Sequence, residues 1–406
     1  MEQEIKKPYK IQSAKIMKEI MGNYFLGMKD TTKKMAWCTS VGPAELLRSF
    51  GFEVHFPENH GALLGATRTA TDLIPEATKL GYSSEICSYL TADVGSYLKK
   101  QTPLTEHYGL EGPPKPDLIV YNTNQCREVQ DWFEYFAKEK NCPVFGIEPP
   151  RYVDEVSNEA IENVAAQFKA LIPICEKASG QKFDIDKFRE TLRLSKEATD
   201  LWKKVLWTAR VSPSPISFFD ATIHMGPIVV LRGTQMAKDY YTTLLKELED
   251  NVTKGIGFLE VEKCRIYWDG MPIWGKLRPM SELFAANNAA VVASTYCNSW
   301  VFDAFDPKDP FESSALAYTE IFINRSERAK EKILKGLIKD FNIGGMIFHE
   351  AKTCFSNSNS RFGMPLRLKN ELGIETLVIE GDLCDLRFYS EGQTTTKIET
   401  FIEQLS

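Results

Sequence analysis

Two stretches of this chain repeat one alternation of short apolar strands and amphipathic helices, and that repetition narrows the possible folds more than any other feature. In the first stretch, Met35-Ala-Trp37, Glu53–Phe56, Leu118–Tyr121 and Val144–Ile147 read as strands. Helical sequence intervenes at Pro43–Phe50, Ala62–Lys79, Ser84–Lys99 and Cys126–Lys140. In the second stretch the strands are Arg265–Trp268, Ala289–Thr295, Met346–His349 and Thr376–Ile379, and a helix near Thr396–Gln404 follows. Strands alternating with helices build a parallel sheet with helices on both faces. Between the two stretches, from Asp154 to about Lys254, only helical periodicity is present, broken once at Ser212-Pro-Ser-Pro-Ile-Ser217. A short amphipathic helix from about Ile11 to Met28 opens the chain. The expected class is α/β: two doubly wound parallel-sheet domains, flavodoxin- or Rossmann-like, joined by a helical segment. The expected divisions are an N-terminal helical segment 1–30, a first α/β domain 31–153, a helical linking region 154–258 and a second α/β domain 259–406.

The two α/β parts match in detail. Leu118-Ile-Val-Tyr121 is followed by four polar residues and Cys126, and Met346-Ile-Phe-His349 by four residues and Cys354. Each Cys is expected to open a helix that leads to a strand ending in an acidic loop, Glu148-Pro-Pro in one part and Glu380-Gly-Asp382 in the other. Several such matches in register point to a duplicated fold.

In an open parallel sheet, ligands bind outside the carboxyl ends of the strands. That rule sorts the nine cysteines. Cys38 follows the first strand, Cys126 and Cys354 the third strand of each part, Cys297 the strand Ala289–Thr295, and Cys384 the last strand. Cys87 falls in the first turn of a helix that Ser83 or Ser84 would cap, where free N–H groups favour a thiolate. Cys142 and Cys264 precede their strands and Cys175 sits in an apolar helical run, so these three read as inert. A single free Cys is more often a small core hydrophobe than a ligand. Six gathered at one pole form a candidate ligand set. Thiolates select zinc, copper(I) or iron–sulfur clusters. A zinc site shows closely spaced Cys pairs, which these six lack, whereas ligands drawn from separate strand ends suit an iron–sulfur cluster.

Composition excludes several other classes. A net charge of -6 with no basic run argues against nucleic-acid binding. No run of about 18 apolar residues exists to span a membrane. Met1 to Lys10 is charged and has no signal-peptide core, so a cytoplasmic location is expected, and reduced cysteines with it. Gly270-Met-Pro-Ile-Trp-Gly275-Lys276 imitates a phosphate-binding loop, but Leu277 stands where the magnesium-binding hydroxyl belongs.

At these residues the sequence resembles the superfamily of 2-hydroxyacyl-CoA dehydratases and benzoyl-CoA reductases. The resemblance runs through Trp37-Cys-Thr-Ser40, Phe56-Pro-Glu-Asn59 and Cys87-Ser-Tyr-Leu-Thr-Ala-Asp93. It continues through Phe183-Asp-Ile-Asp186, Ser212-Pro-Ser-Pro215, Gly226-Pro227 with Arg232-Gly233, and Glu380-Gly-Asp382 with Asp385 and Arg387. It implies a cubane cluster on Cys87, Cys126 and Cys354, fed with single electrons by an ATP-hydrolysing activator that carries its own [4Fe-4S] cluster. Dehydratases of this kind place Ser where Cys38 stands and lack Cys in the loops of Cys297 and Cys384. Six thiolates therefore resemble the double-cubane proteins of the superfamily, which hold an [8Fe-9S] cluster and reduce small molecules.

The implied function is an oxygen-sensitive iron–sulfur oxidoreductase with a double cubane on Cys38, Cys87, Cys126, Cys297, Cys354 and Cys384. The alternative is the [4Fe-4S] subunit of a 2-hydroxyacyl-CoA dehydratase (a lyase) or a benzoyl-CoA reductase. A further alternative is a cluster-carrying scaffold without turnover. The resemblance also implies a homodimer or a heterodimer with a homologous subunit. Among polar residues after strands, Glu58, His60, Glu148, His349, Glu350 and Glu380 are candidate proton donors, with Glu380 and His349 foremost as catalytic residues. Each also reads as a solvated or capping group. Arg68, Arg232 and Arg278 are candidate contacts for CoA phosphates in the dehydratase reading.

Overall fold

The computed structural model describes residues 9–405, so the beginning of the 1–30 segment lies outside the described residues. Two four-stranded parallel sheets are present. The first contains β1 (Met35–Cys38), β2 (Glu53–His55), β3 (Leu118–Asn122) and β4 (Val144–Ile147), in the order β2-β1-β3-β4. The second contains β5 (Cys264–Asp269), β6 (Ala289–Ser294), β7 (Gly345–Ala351) and β8 (Glu375–Gly381), in the order β6-β5-β7-β8. The two orders are the same permutation, as a duplicated unit requires. The central strands β1, β3 and β5 are buried along their whole length and β7 everywhere but at Glu350, which is why they read as largely apolar runs. In each sheet the chain leaves the first strand for one neighbour and returns on its other side. This reversal, between β1 and β3 and between β5 and β7, opens a crevice at the carboxyl ends of those strands.

The stretch between the sheets is helical. Its longest helices are Asn158–Ser179, Ile185–Trp207 and Gln235–Lys254, whose first N–H groups are capped by Ser157, Asp184 and Thr234. Asp184, in the Phe183–Asp186 motif, accepts from the N–H of Asp186 and Lys187 at 2.9 and 3.3 Å. A continuous core joins both sheets to these helices, and a second core fills the space between the first sheet, its outer helices and the loops after β5, β7 and β8.

Three local expectations change. The helix expected over Ala62–Lys79 is two helices, Pro57–Ala66 and Ala70–Lys79. Arg68 adopts φ +63° between them and donates to the Gly275 carbonyl at 3.0 Å, tying this break to the opposite lobe. The helix Ser88–Lys99 starts later than expected, with Cys87 itself at the N-cap position in place of Ser83 or Ser84. Cys354 opens two short 3-10 turns, Phe355–Asn357 and Asn359–Phe362, and the regular helix begins only at Met364. The Ser358 hydroxyl donates to the Cys354 carbonyl and accepts from the Ala351 N–H, holding this irregular segment against the end of β7.

Candidate iron–sulfur site

Cys87, Cys126 and Cys354 line one cavity of about 340 Å³ between the two lobes. Each is delivered by a different loop: one at the start of Ser88–Lys99, one after β3 and one after β7. The Thr353 hydroxyl couples two of these loops. It accepts from the Ser88 N–H at 3.1 Å and donates to Asp382 at 2.6 Å, while Asp382 also accepts from the Thr353 N–H at 2.9 Å. Asp382 is fully buried, and its second oxygen accepts from the N–H groups of Cys384 and Asp385. The Glu380-Gly-Asp382 motif is thus a brace that fixes the residues beside Cys87 and Cys354.

Burial is the main cause that pushes all three thiols above the ordinary cysteine range. They also act on one another: Cys354 raises Cys87, Cys87 raises Cys126, and Cys126 raises Cys354. Backbone N–H groups oppose the rise at each sulfur, those of Leu90 and Tyr89 at Cys87, of Val129 at Cys126 and of Asn357 at Cys354. Three sulfurs in one cavity, each met by the N–H groups of the turn that follows, form a donor set ready to become thiolates beside a cationic centre. Among the described residues, no three His, Cys, Asp or Glu side chains gather tightly enough to hold a single metal ion.

The other three cysteines expected in the ligand set are placed differently. Cys384 packs in the same core as the trio, and Cys87 is among the groups that act on it. It is not among the residues that line the cavity, and its thiol donates to the Gly61 carbonyl at 3.2 Å. A Cβ on Gly65 would come within 2.6 Å of its sulfur, so this helix admits the thiol only because glycine stands there. Cys38 and Cys297 belong to the other core. Cys38 ends β1 fully buried, and the Cys297 sulfur lies 3.8 Å from the Thr222 hydroxyl, with its pKa pushed up to about 11 mainly by burial. Neither lines the cavity.

Two carboxylates line it beside the trio: Glu128, which raises all three thiols, and Glu58, in the first turn of Pro57–Ala66. One Glu58 oxygen accepts from the Ser40 N–H at 2.9 Å and from Gln125 at 2.6 Å, and the other has no hydrogen-bond partner among the described residues. Burial lifts this carboxyl to about 7. Of the two foremost expected proton donors, Glu380 is exposed on the edge strand β8. His349 is buried with Nδ1 against the Met271 carbonyl at 2.6 Å. Neither reaches the cavity. His60 is paired with Asp93 at 2.6 Å, Glu350 accepts from Ser360, and Glu148 is exposed. The candidate phosphate contacts are otherwise engaged: Arg232 is fully buried against Glu45 and Tyr318, and Arg278 pairs with Glu282 on the surface.

Residues that reasoning from the sequence passed over complete the walls. Tyr296, immediately after β6, and Trp132 line the cavity; the position of Tyr296 at a strand end was a signal available for it. Trp132 is held by a 2.9 Å bond from its indole N–H to Asp93.

Comparison with known proteins places the chain in a family. The model of the family described as 2-hydroxyglutaryl-CoA dehydratase, D-component, matches residues 39–405. The chain is 30% identical to the (R)-2-hydroxyisocaproyl-CoA dehydratase alpha subunit of Clostridioides difficile, over 92% of this chain and 91% of that one. It is 29% identical to the (R)-phenyllactyl-CoA dehydratase alpha subunit of Clostridium sporogenes, over 92% and 90%. It is 28% identical to a benzoyl-CoA reductase subunit of Thauera aromatica, over 98% and 96%. The relatives are components of enzymes, and the match extends through both lobes and the helices between them. This chain is a member of the 2-hydroxyglutaryl-CoA dehydratase D-component family, within the superfamily of 2-hydroxyacyl-CoA dehydratases and benzoyl-CoA reductases.

Proposed function

We propose that the protein is the cluster-bearing subunit of an enzyme that acts on a CoA thioester, with a [4Fe-4S] cluster on Cys87, Cys126 and Cys354. The observation that carries this reading is the convergence of three thiols from three separate loops on one cavity, each opposed by backbone N–H groups. When bound, such a cluster supplies one-electron chemistry at low potential. The protein's own residues supply the rest. Glu58 is oriented through one oxygen by Ser40 and Gln125, and its free oxygen can hold or release a proton near neutral pH. Trp132, Tyr296 and the apolar walls keep water from the reacting centre. Electrons would come from an ATP-hydrolysing activator. A second, homologous subunit, identical or different, would complete the assembly. Among the described residues no helix is long and apolar enough to cross a membrane.

The double cubane on six cysteines, the first expectation from the sequence, is the second reading here, favoured by Cys384, which packs beside the trio. It requires Cys38 and Cys297 to turn out of the core that now holds them. Anaerobic iron and acid-labile sulfide analysis separates the two: about four irons per chain for the first reading and about eight for the second. Cys87→Ser, Cys126→Ser and Cys354→Ser should each lose iron, whereas Cys297→Ser should keep its full complement. A protein that retains all its iron without Cys126 would end the three-thiolate reading. Activator-dependent dehydration of a 2-hydroxyacyl-CoA, or reduction of an aryl-CoA, assigns the reaction.

A further inference from the structure

The charge of the cavity lining is one-sided. Its polar lining, which includes Asn59, Gln125 and Thr222, carries no positive charge, and a large apolar share comes from Met17, Met21, Phe25, Leu63, Met225 and Val229. Among the described residues no Lys, Arg or His lines the cavity, and the ionisable groups besides the thiols and tyrosines are the carboxyls of Glu58 and Glu128. A ligand group carrying its own negative charge would therefore enter without a counter-ion and beside two acids. Burying an unpaired carboxylate is strongly unfavourable, and like charges add to the cost.

One wall comes from an element that precedes the residues matched by the family model, although it falls within the alignment with the benzoyl-CoA reductase subunit. Met17, Met21 and Phe25 project from the helix Ala14–Gly27, which precedes the matched residues 39–405. Four-residue spacing places the three on one face. The helix is pinned at its start by the Glu247 carboxylate, which accepts from the N–H groups of Gln12 and Ser13 at 2.5 and 2.8 Å and from the hydroxyls of Ser13 and Tyr9. At Gly226 it comes close: a Cβ there would lie 3.0 Å from the Met21 sulfur. Methionine side chains adapt to irregular apolar shapes, so this wall can mould to a hydrocarbon group without offering it a charge or a hydrogen bond.

We propose that the acyl group accepted by this cavity is an uncharged hydrocarbon chain or ring, and that the N-terminal helix Ala14–Gly27 is the wall that selects it. This rests on the reading of the protein as an enzyme of CoA thioesters. It separates this chain from one that handles a dicarboxylic acyl group, which needs a cation in the wall.

The test compares pentanoyl-CoA with glutaryl-CoA, two thioesters of equal chain length that differ by a terminal carboxylate and carry no 2-hydroxyl to eliminate. Binding to the anaerobically prepared, cluster-loaded protein is measured by calorimetry, with free CoA as reference. Pentanoyl-CoA should bind at least about tenfold more tightly. Met21→Ala should weaken pentanoyl-CoA by several-fold and leave free CoA unchanged, and Met21→Arg should bring glutaryl-CoA level with or ahead of pentanoyl-CoA. Glutaryl-CoA binding as tightly as pentanoyl-CoA in the unaltered protein overturns the selection while leaving the thioester reading in place. Failure of both thioesters to bind better than free CoA overturns that reading and the selection with it. A pentanoyl-CoA affinity unmoved by both Met21→Ala and Met17→Ala removes the N-terminal helix from the proposal.

Discussion

Glu58 shows how a single residue acquires reactivity from its surroundings. In water a glutamate is ionised at neutral pH; here burial lifts the carboxyl to about 7, although the bonds from Ser40 and Gln125 pull the other way. Glu58→Gln keeps the shape and removes the proton exchange. It should lower kcat by about 10²–10⁴-fold with the iron content unchanged, which steady-state kinetics and iron analysis together check. Asp269, at the end of β5, provides a second titrating group, here one that bears on stability. Burial raises its carboxyl to about 6, against bonds from Thr295 and Asn359. The folded protein therefore binds this proton more tightly than the unfolded chain does. Stability from this source is fully present below about pH 4 and is lost as the pH rises through about 6, a change of roughly 3 kcal/mol. Urea midpoints measured between pH 4 and pH 7 should show this slope in the natural protein and lose most of it in Asp269→Asn.

Among the elements, the long helix Ile185–Trp207 is the one most open to a local test. It buries Phe188, Leu192, Ala198, Trp202 and Val205 along one face and begins at Asp184, whose carboxylate takes two of its free N–H groups. Asp184→Ala should cost about 1 kcal/mol in a denaturant titration, the usual effect of losing an N-cap, with no change in iron content. The three elements that deliver the trio are less regular than this helix. Cys87 occupies an N-cap, Cys126 lies in a turn before Glu128, and Cys354 opens a pair of 3-10 turns. Irregular backbone at these points leaves N–H groups without helical partners, and those groups are then free to face sulfur.

At the scale of the whole molecule, one buried charge cluster joins the three parts. The Arg232 guanidinium, from the helical region, meets Glu45 at 3.1 Å, the Tyr318 hydroxyl at 3.2 Å and the Gly42 carbonyl at 3.3 Å. Glu45 and Gly42 belong to the first lobe and Tyr318 to the second, and the Ser195 hydroxyl also donates to Glu45 at 2.6 Å. Aromatic rings of Phe56, Trp300 and Phe302 surround the cation within 6 Å. Arg232→Met leaves Glu45 buried without its counter-charge. It should destabilise by about 3–5 kcal/mol, and Arg232→Met combined with Glu45→Leu should recover much of the loss. Equal destabilisation in the single and double variants, read from thermal or urea unfolding, would count against a cluster that acts through its charge pair.

Much of this architecture is written in the linear order of residues. All eight strands and the helical interval were legible, because strands buried on both faces leave continuous apolar runs and helices leave a period near 3.6. The rule that ligands gather at strand carboxyl ends selected Cys126 and Cys354, a helix start selected Cys87, and the tertiary structure brings those three to one cavity. The same rule also selected Cys38, Cys297, His349 and Glu380, since it gives the pole of a residue but not the direction of its side chain. Direction depends on strand parity and on what the opposite lobe packs against: β1 turns Cys38 into the core, and the edge strand β8 leaves Glu380 in solvent. The covalent sequence determined which residues lie at the functional end of each sheet. Only the packing of the two lobes and the helices on them decided which thiols share a cavity, that the Glu58 carboxyl joins them, and that Met17, Met21 and Phe25 close its wall, because those contacts join residues far apart along the chain.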